Sequence, residues 1–274
     1  MSSPVPPDGL CVIRGGGDIA TGVAWRLTRA GFPVVVTELA WPLTVRRTVA
    51  LSSAVHDGVI DIEGMIGRRA DDVTDALDIT RTGEVAVLVS PSLPPVGAAA
   101  VVDARLAKRN LDTTCADAPV VVGLGPGFEA GVDCHAVIET NRGHHLGRVL
   151  WSGSAEANTG TPGLVAGVGA ERVLRAAGSG HLRWDARIGD TVTNHQVIGR
   201  IVAAGQPERL LMAPFAGKIR GLIAESTAVV AGLKVGDVDP RCDIPCDEIS
   251  DKALAIGGGV VEAVLWARRS GTDA

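Results

Sequence analysis

Residues 10–38 read LCVIRGGGDIATGVAWRLTRAGFPVVVTE, and the fold expected for the whole chain turns on this stretch. Leu10-Cys11-Val12-Ile13 is a short apolar run that predicts a buried strand, and it passes through Arg14 into Gly15-Gly16-Gly17. Ile19, Val23, Leu27 and Ala30 then recur at helical spacing until Gly31 and Pro33 stop the helix. Val34-Val35-Val36-Thr37 predicts a second β-branched strand, closed by the carboxylate of Glu38. Gly15-x-Gly17-x-x-Ala20 matches the dinucleotide fingerprint with alanine at its third small position. Its glycines allow the bend and the approach of a pyrophosphate, and the third residue allows helix–strand contact. Glu38, 23 residues after Gly15, stands where a carboxylate accepts hydrogen bonds from a ribose. The same pattern also fits an α/β turn that binds nothing, and Arg14 or Arg46-Arg47 are alternative phosphate partners.

Outward from this unit, Val85–Val89, Val101-Val102 and Val120–Val122 predict further strands. The uncharged run 85–102 contains Pro91, Pro94, Pro95 and Gly97, so it reads as a buried strand and a loop, not a membrane span. Gly123-Leu124-Gly125-Pro126-Gly127-Phe128 is a second glycine-rich turn, either a sharp bend at the sheet edge or a ligand contact; its proline removes one backbone donor. Open α/β sheets bind ligands at the carboxyl ends of their strands, so Gly15, Gly17, Ala20, Glu38, Gly123, Gly125 and Gly127 are expected to face one crevice. Asp133-Cys134-His135 and Asn141-Arg142-Gly143-His144-His145 contain no recognised metal-ligand spacing, and no metal is assigned. Arg142 is a candidate wall of the crevice, and His144, whose ordinary pKa lies near neutrality, is the candidate general base. The expected class is therefore α/β, with a Rossmann-like nucleotide-binding domain over residues 1–176.

From residue 177 the texture changes to short strands and turns. Thr191-Val192-x5-Ile198-Gly199 recurs 37 residues later as Ala228-Val229-x5-Val235-Gly236, with Ala213-Pro214-Phe215-Ala216-Gly217 between them. These half-repeats resemble the barrel-sandwich hybrid fold of biotinyl and lipoyl domains, which predicts a small all-β domain over 177–241. The stretch that would carry a modified lysine, Ile201–Met212, has no lysine, so neither biotin nor lipoate is expected. Residues 242–274 form the last segment, with Val260, Val261, Val264, Leu265 and Ala267 giving a helix that docks on the first domain. Cys242-x3-Cys246 has neither the zinc nor the redox spacing. Arg241 and Lys252 nearby are expected to lower the thiol pKa of Cys246, making it a candidate nucleophile.

Glycine supplies 35 of 274 residues, about twice the usual share, yet 46% of the chain is hydrophobic, so a folded protein with many turns is expected. Three Phe, five Trp and no Tyr leave the core to Val, Ala, Leu and Ile. Twenty-six basic against 31 acidic residues offer no field for nucleic acid or a membrane surface. Five scattered cysteines do not make a disulfide framework, and the N-terminal residues lack a signal pattern; both point to the cytoplasm.

Seven motifs together resemble the YqeB family of accessory proteins of selenium-dependent molybdenum hydroxylases. They are Arg14–Gly22, Val45–Val49, Gly123–Phe128, Ile138–His144, Asn158-Thr159-Gly160, Gly236–Arg241 and Ile249–Ala253. The resemblance implies a role in maturing xanthine-dehydrogenase-like enzymes, with such a hydroxylase as client, and it hands over no catalytic residues. Under it, the crevice would take a nucleotide-like small molecule, either NAD(P) or a nucleotide-modified molybdenum cofactor. Two alternatives stand beside it. One is an NAD(P)-dependent oxidoreductase, against which the absence of tyrosine counts. The other is a non-enzymatic scaffold for a client hydroxylase. Whether any reaction is catalysed, and whether the chain self-associates, stay open at this point.

Overall fold

A computed structural model describes residues 8–158, 160 and 167–270 of the chain; Thr159 in the motif Asn158-Thr159-Gly160 lies outside them. The chain divides into two units. The first comprises residues 1–40, 50–158 and 249–274, and the second residues 41–49 and 159–248.

The first unit holds β1 (Cys11–Arg14), α1 (Asp18–Arg29), β2 (Val34–Glu38), the single turn α2 (Ala54–Asp57), β3 (Val59–Ile62) and β4 (Met65–Ala70). It continues with α3 (Val73–Arg81), β5 (Val85–Val89), β6 (Ala100–Asp103), β7 (Val120–Leu124), β8 (Ala136–Ile138), β9 (Val149–Leu150) and, near the chain's end, α4 (Asp251–Ser270). The nine strands form one sheet in the order β3-β4-β5-β2-β1-β6-β7-β8-β9. Neighbours from β4 to β8 are parallel, whereas β3 and β9 pair antiparallel at the two edges. Val12 and Val35 point into one apolar layer with Leu77 of α3, while Ile13, Val34 and Val36 point into the other with α1 and α4. Burial on both faces explains why these strands are continuous Val-rich runs without polar alternation.

This architecture corrects the Rossmann-like expectation. A doubly wound fold carries a helix at each parallel crossover. Here α1 joins β1 to β2 and α3 joins β4 to β5, but the connections from β5 to β6, β6 to β7 and β7 to β8 contain at most a short 3-10 turn at Cys115–Asp117. Prolines 91, 94, 95 and 126 and the glycines around them deny those connections a helical period. Loop residues Val96, Phe128, Ala130 and Cys134 cover the sheet there instead. The sheet is mixed, with antiparallel strands at both edges.

α4 runs through the glycine triplet Gly257-Gly258-Gly259. A Cβ at Gly257 would lie 2.5 Å from the Gly22 carbonyl oxygen, and one at Gly22 2.6 Å from the backbone of Ala253. α1 and α4 therefore approach at backbone distance, and this contact accounts for Gly22 and Gly257, each costing a helix about 1 kcal/mol relative to alanine. None of the helices among the described residues is long and apolar enough to cross a membrane.

The second unit holds β10 (Val173–Arg175), β11 (Gly180–Trp184), β12 (Thr191–Val192), β13 (Val197–Val202), β14 (Arg209–Met212), β15 (Gly217–Leu222), β16 (Ala228–Val229) and β17 (Lys234–Asp239). They form two four-stranded antiparallel sheets, β10-β17-β15-β12 and β14-β13-β11-β16. The expected barrel-like domain is corrected accordingly: the half-repeats β12-β13 and β16-β17 are each split between the two sheets. Leu182, Ile198, Ile201, Ile219, Leu222, Val235 and Val238 form the core between them, joined by Val45. Val45 belongs here because Leu222 N–H donates to its carbonyl at 2.8 Å, and Arg47 Nε donates back to the Leu222 carbonyl at 2.8 Å. The boundary expected at 176/177 therefore falls within this unit, where β10 already pairs with β17. The last segment, 242–274, divides at 248/249, with α4 in the first unit's apolar layer.

Candidate functional site

The carboxyl ends of β1, β2, β6, β7 and β8 gather most of the residues singled out in the sequence. Gly15 adopts φ +93°, a left-handed value that favours glycine, and a Cβ there would lie 3.1 Å from Arg105 Cα. The turn's polar groups are then met from within the protein. Glu38 is turned inward: Gly16 N–H donates to its Oε2 at 2.8 Å and Leu39 N–H to its Oε1 at 2.7 Å. Burial pushes the Glu38 carboxyl above its ordinary pKa, against the pull of these two N–H groups. Ser52 N–H donates to the Gly16 carbonyl at 2.8 Å from the other side. Ala20 lies fully buried in the α1 layer. The nucleotide-binding reading of this turn is therefore corrected. The carboxylate expected to meet a ribose closes the turn itself, and the glycines serve the packing of Arg105 and Ser52.

Arg14 is likewise committed. Its guanidinium, 2% exposed as a residue, donates to Thr113 Oγ1 at 2.9 Å and to Asp112 Oδ2 at 2.8 Å. Thr113 passes a hydrogen bond to Asp103 Oδ2 at 2.7 Å, and Arg105 bridges Asp103 and Asp112. The hydrogen bond from Arg14 holds the Asp112 carboxyl below its usual range, with Arg105 adding to it. Nothing in the sequence near Arg14 pointed to these partners, which lie 98 and 99 residues away.

The second glycine turn is also filled by protein. A Cβ at Gly123 would strike the ring of Phe128, one at Gly125 the hydroxyl of Thr140, and one at Gly127 would lie 2.5 Å from Arg109 Cα. Gly125 and Gly127 have φ +75° and +107°, so the turn is a sharp bend packed on itself.

Two long helices, α1 and α4, begin near this edge. α1 begins at Gly17 with no side-chain cap. Near the start of α4, Arg142 reaches from the loop after β8 to pair bidentately with Asp251, at 2.8 Å for both contacts. Lys252 follows, half-buried, with no hydrogen bond or ion pair to any described residue. Burial lowers its pKa, and the cations Arg142 and Lys108 lower it further, against the carboxylates of Asp18 and Glu139. Glu139 is itself occupied, accepting from Asn141 N–H at 2.6 Å and Glu156 N–H at 2.7 Å. Lys108 and its neighbour Leu106 hold φ values of +66° and +54°, a costly conformation for residues with side chains. Lys252 appeared in the sequence as a neighbour of Cys246 and as a member of the motif Ile249–Ala253, with no role of its own; no periodic signal separates a half-buried lysine from an exposed one.

His144 lies exposed on the loop after β8, its ring edge-on to His145 at 5.3 Å. Cys246 belongs to the second unit. The cations acting most strongly on it are Lys218, Arg220 and Arg46 rather than Arg241 and Lys252, and burial outweighs them, so its thiol pKa is raised, not lowered. Cys134 is pushed up to about 12 by burial.

No family model matches the chain. Along its whole length, over 280 aligned positions, it is 47% identical to the uncharacterized protein YqeB of Escherichia coli (strain K12). It covers 51% of that protein, so the chain spans about half the length of the curated relative it matches. Among solved structures it is similar to an aspartoacylase family protein from Mesorhizobium loti, at 12% identity over 86% of this chain and 85% of that one, TM-score 0.31. A succinylglutamate desuccinylase from Silicibacter sp. is also 12% identical, over 85% of each chain, TM-score 0.27. The ectoine utilization protein EutE of Ruegeria pomeroyi is 13% identical, over 84% of this chain and 57% of that one, TM-score 0.23. At such TM-scores these likenesses carry no argument about this chain's activity.

Proposed function

Taking the chain as a member of the YqeB family along the half of YqeB that it spans, we propose that it binds a small anionic molecule at the carboxyl edge of its parallel strands. It does so as an accessory protein in the maturation of molybdenum hydroxylases. The observation that carries the anion is Lys252, a half-buried ammonium that pairs with none of the described residues and has Arg142 and Lys108 close by. A buried cation is costly without a partner, and an incoming anion supplies one. The start of α1, which no side chain caps, adds the positive end of a helix dipole. The hydroxylase client rests on the family resemblance of the sequence motifs.

The anion is tested by thermal unfolding with inorganic phosphate, pyrophosphate and citrate. A ligand at 100 times its dissociation constant adds about 2.7 kcal/mol, a rise of roughly 5 to 10 degrees in the midpoint. The proposal expects at least one of the three to produce such a rise, and Lys252→Met to remove it. A flat response to all three in the unmodified chain sinks the anion site. The client is tested separately, by producing a xanthine-dehydrogenase-like enzyme with and without this chain and measuring its molybdenum content and turnover. Equal values in both preparations remove the maturation role.

A further inference from the structure

The second unit contains a cluster of cations, two of them within the motifs Val45–Val49 and Gly236–Arg241, to which the resemblance assigns no role. Arg46 enters from the 41–49 segment, Lys218 and Arg220 stand on β15, Arg172 precedes β10 and Arg241 follows β17. The buried carboxylates among them are Asp237 and Asp239 of β17. Asp239 is saturated: Arg241 donates Nε to Oδ1 at 2.9 Å, a second guanidinium nitrogen to Oδ2 at 2.8 Å, and its backbone N–H to Oδ1 at 3.0 Å. Arg220 adds one contact at 3.2 Å to Asp239, and Arg172 reaches Asp237 only at 3.3 Å. The Nε groups of both Arg220 and Arg172 are buried with no hydrogen-bond partner among the described residues. Arg46, itself buried, bears on Arg220 as a like charge.

Cys246 lies against this cluster. Its carbonyl accepts from the Thr48 hydroxyl, two residues from Arg46. Its thiol faces the Ile219 carbonyl at 3.7 Å, between Lys218 and Arg220 in the sequence, and Lys218 Nζ donates to the Ile244 carbonyl at 3.3 Å. Around the half-buried thiol stand the cations Lys218, Arg220 and Arg46 and the carboxylate of the adjoining Asp247, and Arg220 keeps a buried Nε with no hydrogen-bond partner among the described residues.

We propose that Arg46, Arg220 and Lys218 form a binding site for a tetrahedral oxyanion of the phosphate class, opening beside the Cys246 thiol. Planar guanidinium forks match the paired oxygens of such an anion, and a lysine supplies a third point charge. The anion occupies the Arg220 donor that the two carboxylates leave unmet.

Site-resolved alkylation of the full chain tests this, with Cys246 and the exposed Cys242 quantified by peptide mass spectrometry and Lys252→Met as the background, so that the first unit's site is silent. A focused positive potential raises local anion concentration, so negatively charged iodoacetate should react with Cys246 about tenfold faster, relative to neutral iodoacetamide, than it does with Cys242. Inorganic phosphate at constant ionic strength should protect Cys246 and not Cys242, and should raise the unfolding midpoint. Arg220→Gln should abolish preference and protection; Lys218→Met, which leaves the buried pairs intact, should weaken both and serves where Arg220→Gln does not fold. Equal reagent preference at the two cysteines overturns the proposal, as does protection that persists in both variants. A Cys246 that neither reagent reaches, combined with an unfolding midpoint indifferent to phosphate, overturns it equally.

Discussion

Each unit buries an arginine cluster, and the two differ in how their charge is balanced. In the first, Arg14 and Arg105 meet Asp103 and Asp112 through close contacts, with Thr113 linking Arg14 to Asp103. In the second, Arg46, Arg172, Arg220, Arg241 and Lys218 surround Asp237 and Asp239, and the Nε groups of Arg172 and Arg220 find no partner among the described residues. A closed network of buried charge holds loops together; an open one keeps free energy available for a ligand. Burial of arginine alone does not tell the two apart.

The sharpest way to break the contrast is Asp103→Ala. It takes from Arg105 its buried carboxylate and from Thr113 the acceptor of its hydroxyl, and removing one partner of a buried pair costs about 3 to 5 kcal/mol. Equilibrium denaturation should show that loss, and a change under 1 kcal/mol would mean that the first network is not closed. Next in size is Gly257→Val, whose side chain meets the Gly22 carbonyl; overpacking of this kind costs about 2 kcal/mol and should also weaken anion binding, because α4 carries Lys252. Glu38→Ala leaves the buried Gly16 N–H without its acceptor, for a loss of about 1 to 2 kcal/mol, and should confer no affinity for NAD.

The smallest stability change is expected at the open cluster. Burial already raises the pKa of Asp237, its nearest cations notwithstanding, so the charged form is poorly supported. Asp237→Asn should cost under about 1 kcal/mol while tightening phosphate protection of Cys246, since one negative charge leaves the site. A large loss of stability there would show that both clusters are closed. The first unit's anion site has its own signature in pH. Lys252 in the folded chain titrates below an ordinary lysine, and only its charged form attracts an anion. Affinity should therefore fall as pH rises through that depressed pKa, before the usual lysine range. Stability of the unliganded chain should rise over the same window, because there the unfolded chain holds the extra proton. Lys252→Met should flatten both profiles.

The opening βαβ unit was legible because its determinants are local. Alternation of short apolar runs, a helical period from Ile19 to Ala30 and Gly31 at φ +86° place β1, α1 and β2 within a residue of where the sequence puts them. The extension of that unit into a Rossmann-like domain failed at the connections after β5. There the prolines were visible, but that loops would cover the sheet in place of helices was not. Gly257 within α4 follows a related logic: glycine weakens a helix by local propensity, yet here the backbone of α1 packs against it. Glu38 was found and its role inverted, since a carboxylate at the end of β2 suits a ribose and the N–H of its own turn equally well.

Taken by itself, the sequence determined the β1-α1-β2 unit, the Val-rich strands, the all-β texture after residue 177 and the inventory of arginines and carboxylates. These follow from short-range periodicity and composition, which neighbouring residues settle among themselves. Tertiary structure alone decided which carboxylate neutralises which guanidinium, that residues 41–49 join the second unit, and that Lys252 and Arg220 keep unspent charge. Those outcomes depend on groups as far apart in the chain as Arg14 and Asp112. Electrostatic and hydrogen-bond partners are chosen by distance through the folded protein, where a few ångströms and the loss of water decide whether a buried charge is closed or open.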